Sequence, residues 1–137
     1  MIDPPGPGVW FNSATGFGTL GYAAPAAIGA SLGTPGWPVI CLIGDGGLQF
    51  TLSELGCAKE VDAEVIFLVW NNRGYQEIET AMIDAGITPR GVDPNPPDFM
   101  KIADAYELMA IRVTERAKLA EIVSTASGPA LIEFSST

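Results

Sequence analysis

Val39-Ile40-Cys41-Leu42-Ile43-Gly44-Asp45-Gly46-Gly47 and Val65-Ile66-Phe67-Leu68-Val69-Trp70-Asn71-Asn72 decide the fold. Each is a short apolar run that stops at turn-forming or polar residues, which predicts a buried strand. Between them, Thr51 to Lys59 predicts a helix, with Thr51 and Glu54 spaced as a capping box. Strand, helix and strand make a βαβ unit with parallel strands. Ligands of such sheets bind outside the carboxyl ends of the strands. Asp45 closes one strand and the Asn71-Asn72 pair closes the next, so an anionic oxygen and a neutral amide oxygen face one crevice. That pair suits Mg²⁺, which takes a few protein oxygens and completes its octahedron with phosphate oxygens and water.

Working outward, Thr19 to Leu32 is rich in Ala and predicts a buried helix, with Pro25 in its first turns and Gly33 as its stop. Downstream, Arg73 to Ala85 predicts a loop and then a helix. Gly86 to Pro97 is crowded with Pro and Gly and predicts a surface loop. A helix begins at Pro97-Asp98-Phe99, a short strand covers Ile111 to Val113, a helix covers Glu115 to Ala126, and Ala130 to Phe134 is the last strand. Alternating strands and helices predict an α/β fold, a doubly wound parallel sheet with helices on both faces. Residues 1–9, rich in Pro and Gly, predict a flexible lead segment before a single domain over 10–137.

The 137 residues suffice for one buried core, and 47% of them are apolar. No apolar stretch is long enough for a bilayer, and no leader pattern is present, so a cytoplasmic location and no membrane partner are expected. Cys41 in a strand and Cys57 in a helix read as small buried hydrophobes rather than a disulfide. A net charge of −9 argues against nucleic acid, which needs a basic face. It also means that a bound diphosphate needs local neutralisation by Mg²⁺ and main-chain N–H groups. The absence of His excludes a serine or cysteine triad and a His-ligated metal within this chain.

Twenty-four residues separate Gly46 from Asn71. The pattern Gly44-Asp45-Gly46, about two dozen residues, then Asn71-Asn72 resembles the thiamine diphosphate motif. With Gly16-Phe17-Gly18-Thr19-Leu20-Gly21-Tyr22 before it and Asn71-Asn72-Arg73-Gly74-Tyr75 within it, the chain from about Trp10 onward looks like one domain. That domain is the C-terminal cofactor-binding domain of the acetolactate synthase, benzoylformate decarboxylase and pyruvate decarboxylase superfamily. The resemblance implies thiamine diphosphate and Mg²⁺ as cofactors. It implies Asp45, Asn72 and the Gly74 carbonyl as metal ligands. Gly44, Gly46 and Gly47 then let the main chain approach the diphosphate, and Tyr75 walls the pocket.

Gly16, Gly18 and Gly21 also match a dinucleotide fingerprint, but Phe11 to Thr15 is a poor strand to precede one. The resemblance instead gives Gly18 and Leu20 to the aminopyrimidine: the Gly18 C=O accepts from its amino group and the Leu20 N–H donates to its ring. The Leu20 side chain would wedge beneath the cofactor and hold its two rings in a V, bringing the imino nitrogen to the C2 proton. Ile78 falls where family members place substrate-pocket residues, and being apolar it suits an apolar substrate chain.

The chain departs from the family at Ala23-Ala24, at Gln76, after Tyr106, and in lacking the acetolactate synthase pattern after the Asn pair. The last of these tilts the reading towards a 2-oxo acid decarboxylase, with an acetolactate synthase-like carboligase still open. The phrasing from Trp10 to Gly21 resembles decarboxylases of larger 2-oxo acids, such as guanidino ones. The family's activating glutamate lies on a separate pyrimidine-binding domain for which this chain has no room. The resemblance thus implies a C-terminal fragment or a subunit of a split enzyme, inactive alone, partnered by that domain within a homo-oligomer. The alternative from another class is a non-catalytic, flavodoxin-like module that binds nucleotide or phosphate.

Overall fold

The computed structural model describes residues 10–12 and 17–135; the lead segment 1–9 and Gly16 lie outside them. The elements are α1 (Ala23–Gly33), β1 (Val39–Gly44), α2 (Asp45–Gln49), α3 (Glu54–Glu60), β2 (Val65–Asn71), α4 (Gln76–Asp84), α5 (Phe99–Ala105), β3 (Met109–Val113), α6 (Arg116–Thr125) and β4 (Ala130–Ser135). The four strands form one sheet in the order β1-β2-β4-β3, and every neighbouring pair is parallel.

Alternation along the strands builds two layers. Cys41, Ile43, Val65, Phe67, Val69 and Leu131 face α1, α3 and α5 in one core. Ile66, Ile132, Phe134 and Val113 face α6 on the other side, with Trp70 and Phe134 ring centroids 4.7 Å apart. The predicted α/β fold with helices on both faces is what forms. No helix among the described residues is long and apolar enough to cross a membrane.

Several local expectations are corrected. The first helix starts at Ala23 rather than Thr19, because Gly18 and Gly21 take left-handed φ values of 61° and 84° that cannot continue into a helix. The predicted helix Thr51–Lys59 begins only at Glu54, as α3, and an unpredicted short helix, α2, follows β1 directly. Its capping box does not form: Ser53 is the N-cap and makes no side-chain cap bond, while the Thr51 Oγ1 donates to the Gly21 carbonyl at 3.2 Å. Cys57 is exposed on α3, whereas Cys41 is buried with its thiol pushed up to about 12 by desolvation.

β1 is not a fully buried strand. It occupies a sheet edge, and α6 covers the far face only over β2, β4 and β3, so Ile40 and Leu42 stay 54% and 44% exposed. They border an apolar groove of about 860 Å³ with Trp10, Phe11, Tyr22 and Trp37. Neither Asp45 nor Asn72 lines that groove, so its size does not make it the polar site.

Phe67 is fully buried at the centre of the larger core. Phe67→Ala should lower stability by roughly 3–5 kcal/mol in a urea melt. A loss below about 1 kcal/mol would contradict this account of the core.

Candidate functional site

The sheet register aligns the strand ends. Gly44 of β1 pairs with Trp70 of β2, so Asp45 and Asn71 leave the sheet at one level. Gly44 is extended (φ −72°, ψ 155°), and the chain turns directly from it into α2. Asp45 is thereby the first residue of a helix whose opening N–H groups have no helical acceptors.

The Asp45 side chain is 1% exposed. Desolvation is the largest influence and raises its carboxyl above the ordinary aspartate value. The main-chain N–H groups of Gly46, Asn72 and Gly74 act in the opposite direction, and so does its own. The carboxyl therefore lies among amides supplied by the segments that follow β1 and β2. Its Oδ2 still has no hydrogen-bond partner, and neither does the buried Oδ1 of Asn72. The Asn72 amide nitrogen donates outward to Gln76 Oε1 at 3.0 Å, which leaves Oδ1 as the inward atom. Buried polar groups are nearly always paired, because an unpaired one costs about 1–3 kcal/mol and an unpaired charge more. Two unpaired acceptors at the ends of adjacent strands are an arrangement that a cation satisfies.

Gly74 follows Arg73, which adopts a left-handed φ of 63° and turns the chain back. A Cβ on Gly74 would lie 3.0 Å from the Val92 carbonyl, so the main chain is closely hemmed there. Tyr75 donates its N–H to that same carbonyl at 2.8 Å, and its ring lies on Gly46, where any Cβ would overlap it. A Cβ on Gly47 would meet Ile43 Cγ1 at 3.3 Å and approach the Gly21 nitrogen at 4.0 Å. The Gly21 turn is in turn crowded against Phe50 and Thr51. The structure thus brings Gly44, Asp45, Gly46, Gly47, Asn72, Gly74 and Tyr75 together, with the Gly18–Gly21 turn beside them.

Other residues expected at the site stand differently. Leu20 lies in the turn before α1 and is 46% exposed, so it is not helix core. Gly18 is exposed in the same turn. Ile78 is 47% exposed on α4, a helix with no buried residue, so it lies outside the core.

One set of residues was not foreseen. Asn71, the first Asn of the pair, turns away from the Asp45 crevice into the sheet. Its amide nitrogen donates to Glu133 Oε1 at 2.6 Å, and its Oδ1 accepts the Arg73 N–H at 3.1 Å. Glu133 is 3% exposed; its Oε2 accepts from Arg112 Nε at 2.8 Å, and Arg112 reaches Asp98, the N-cap of α5, at 3.1 Å. The signal available in the sequence was a lone carboxylate inside the otherwise apolar run Ala130 to Phe134.

Among the described residues no three His, Cys, Asp or Glu side chains come together. A cation here would therefore take one carboxylate, one amide oxygen and main-chain oxygen, and fill its remaining positions from a ligand and water. That donor set fits Mg²⁺ with a phosphate better than it fits zinc or calcium.

Comparison with known proteins identifies a family. Residues 1–134 match the family described as "Thiamine pyrophosphate enzyme, C-terminal TPP binding domain". A protein of Pseudomonas aeruginosa named a probable 2-ketoarginine decarboxylase is 45% identical over 101 residues, 73% of this chain and 18% of that protein. The acetolactate synthase large subunit of Cyanidium caldarium is 34% identical over 133 residues, 92% of this chain and 22% of that protein. An acetolactate synthase of Bacillus subtilis is 34% identical over 121 residues, 86% of this chain and 21% of its own length. The chain thus spans about a fifth of the length of the relatives it matches.

The buried Asp45 carboxyl carries a pH signature in metal-free solution. Its folded value is raised, so what it contributes to stability is fully present below the ordinary value of 3.8 and is lost as pH rises through the folded value. Asp45→Asn keeps the shape and removes the charge. In EDTA at pH 7 the variant should melt at a higher temperature than the unmodified protein, with the difference closing towards pH 3. A variant that is less stable at pH 7 and more stable in acid would contradict the assigned direction.

Proposed function

This chain belongs to the thiamine pyrophosphate enzymes, as their C-terminal cofactor-binding domain, and we propose that it supplies the diphosphate- and Mg²⁺-holding half of a 2-oxo acid decarboxylase. The observation that carries the proposal is the pair of buried, unpartnered oxygens, Asp45 Oδ2 and Asn72 Oδ1, at the ends of β1 and β2. They would hold Mg²⁺ together with the main-chain carbonyl of Gly74. Gly47 would offer its main-chain N–H to the diphosphate, and Gly46 would let the main chain approach it, where a side chain on Gly46 would overlap Tyr75 and one on Gly47 would crowd Ile43. Tyr75, laid over Gly46, would shield that end of the site from water.

The exposed turn at Gly18 and Leu20 would meet the aminopyrimidine, with Leu20 as the wedge beneath the cofactor. When bound, thiamine diphosphate supplies a carbon nucleophile and an electron sink for cleaving or forming the bond next to a 2-oxo acid carbonyl. A decarboxylase of a larger, guanidino-bearing 2-oxo acid is favoured over an acetolactate synthase. The sequence pattern after Asn72 supports this, as does the 45% identity to a protein named a probable 2-ketoarginine decarboxylase. Ile78, exposed on α4, would face the apolar part of such a substrate.

The activating glutamate would come from a pyrimidine-binding domain outside these residues, within a homo-oligomer, and the isolated domain would bind cofactor weakly and turn over little. A cytoplasmic location completes the proposal.

The test is calorimetric titration of thiamine diphosphate with Mg²⁺ and then with EDTA. Binding should require Mg²⁺ and fall by at least about 100-fold in Asp45→Ala, since a buried charged ligand to the ion is lost. Binding that ignores both EDTA and Asp45→Ala would overturn the Mg²⁺ reading and favour a non-catalytic phosphate-binding module.

A further inference from the structure

We propose that Glu133 is a positioning residue for the metal-binding loop: through Asn71 it fixes the backbone turn that presents Asn72 and Gly74. The inference rests on the proposed Mg²⁺ role of Asn72, but its structural half is independent of any metal.

Asn71 has a carboxamide with two distinct ends, and the structure uses each. The nitrogen end donates to Glu133 Oε1 at 2.6 Å, a short charge-assisted bond. The oxygen end accepts the Arg73 N–H at 3.1 Å. Arg73 is a non-glycine residue at φ 63°, a conformation that needs local support. The turn therefore depends on Asn71 keeping its oxygen towards Arg73, and an amide flip would put the NH₂ against the Arg73 N–H. Glu133 forbids that flip, because its carboxylate can only accept.

Glu133 is itself fixed. It is 3% exposed on β4, its other oxygen accepts from Arg112 Nε at 2.8 Å, and Arg112 reaches Asp98 at the start of α5. Asn71, Glu133 and Arg112 lie on three adjacent strands, β2, β4 and β3. The site's loop is thus braced from β4 and β3, on the side of β2 away from β1. Groups that orient metal ligands in this way commonly matter about 10–100-fold in metal affinity.

The experiment measures Mg²⁺ affinity in the presence of thiamine diphosphate, thermal stability in EDTA, and the Asn71 side-chain amide resonances by NMR. The variants are Glu133→Ala, Glu133→Gln and Phe134→Leu. Glu133→Ala should weaken Mg²⁺ about 10-fold and shift the Asn71 amide resonances upfield as the short bond is lost. Glu133→Gln replaces one accepting oxygen with an NH₂ that can donate to a flipped Asn71, so it should weaken Mg²⁺ affinity as well, by less than Glu133→Ala. Phe134→Leu destabilises the same strand without touching Asn71, and should leave Mg²⁺ affinity unchanged at a similar loss of melting temperature.

Equal weakening by Phe134→Leu and Glu133→Ala would reduce Glu133 to a structural residue and overturn the proposal. Unchanged Mg²⁺ affinity in Glu133→Ala would overturn it too. If the unmodified protein shows no Mg²⁺ dependence, the proposed function fails, and so does the metal half of this inference. The NMR result then decides the structural half: amide resonances unmoved by Glu133→Ala would overturn that as well.

Discussion

The site depends on one constraint, the in-register parallel pairing of β1 with β2. Gly44 lies opposite Trp70, so Asp45 and the Asn71-Asn72 pair emerge together. A slip of one residue would exchange the faces of every side chain and carry Phe67 and Val69 out of the core. Burial of Cys41, Ile43, Val65, Phe67 and Val69 against α1, α3 and α5 therefore sets the position of the polar atoms. The core fixes the register, and the register fixes the chemistry.

Two consequences follow at the rim. Asp45 is buried with one oxygen unpartnered, which opposes folding in the absence of a cation but prepares a strong ligand. The cost is moderated by the N–H groups of Gly46, Asn72 and Gly74, which point at the same carboxyl. On the other side of the loop, every polar end of Asn71 and both oxygens of Glu133 are satisfied. The contrast separates the roles of neighbours. Asn71 is consumed by structure, whereas Asn72 keeps a buried Oδ1 without a partner.

Much of this was legible in the sequence. β1, β2, their parallel pairing and the meeting of Asp45 with Asn72 follow from two apolar runs that end in polar residues a helix apart. Less legible was anything set by the neighbourhood rather than the local pattern. β1 reads as buried because its run is continuous, yet as an edge strand it keeps Ile40 and Leu42 exposed. Thr51 and Glu54 have the spacing of a capping box, but the Gly21 carbonyl, distant in sequence, takes the Thr51 hydroxyl. Glu133 was visible as a charge within an apolar strand, but its partner Asn71 lies 62 residues away, and no local pattern names it. Gly46 was read as room for a ligand. Its bare face also receives the Tyr75 ring, a contact that only the folded chain makes.

The central claim is that Asp45 Oδ2 and Asn72 Oδ1 share one cation. The most direct measurement is a crystal structure of the protein grown with thiamine diphosphate and Mn²⁺, with data collected at the manganese edge. The account predicts a single anomalous peak between those two oxygens, about 2.0–2.2 Å from each, close to the octahedral distances of Mg²⁺. An anomalous peak elsewhere, with Asp45 and Asn72 each paired to protein groups instead, would contradict it.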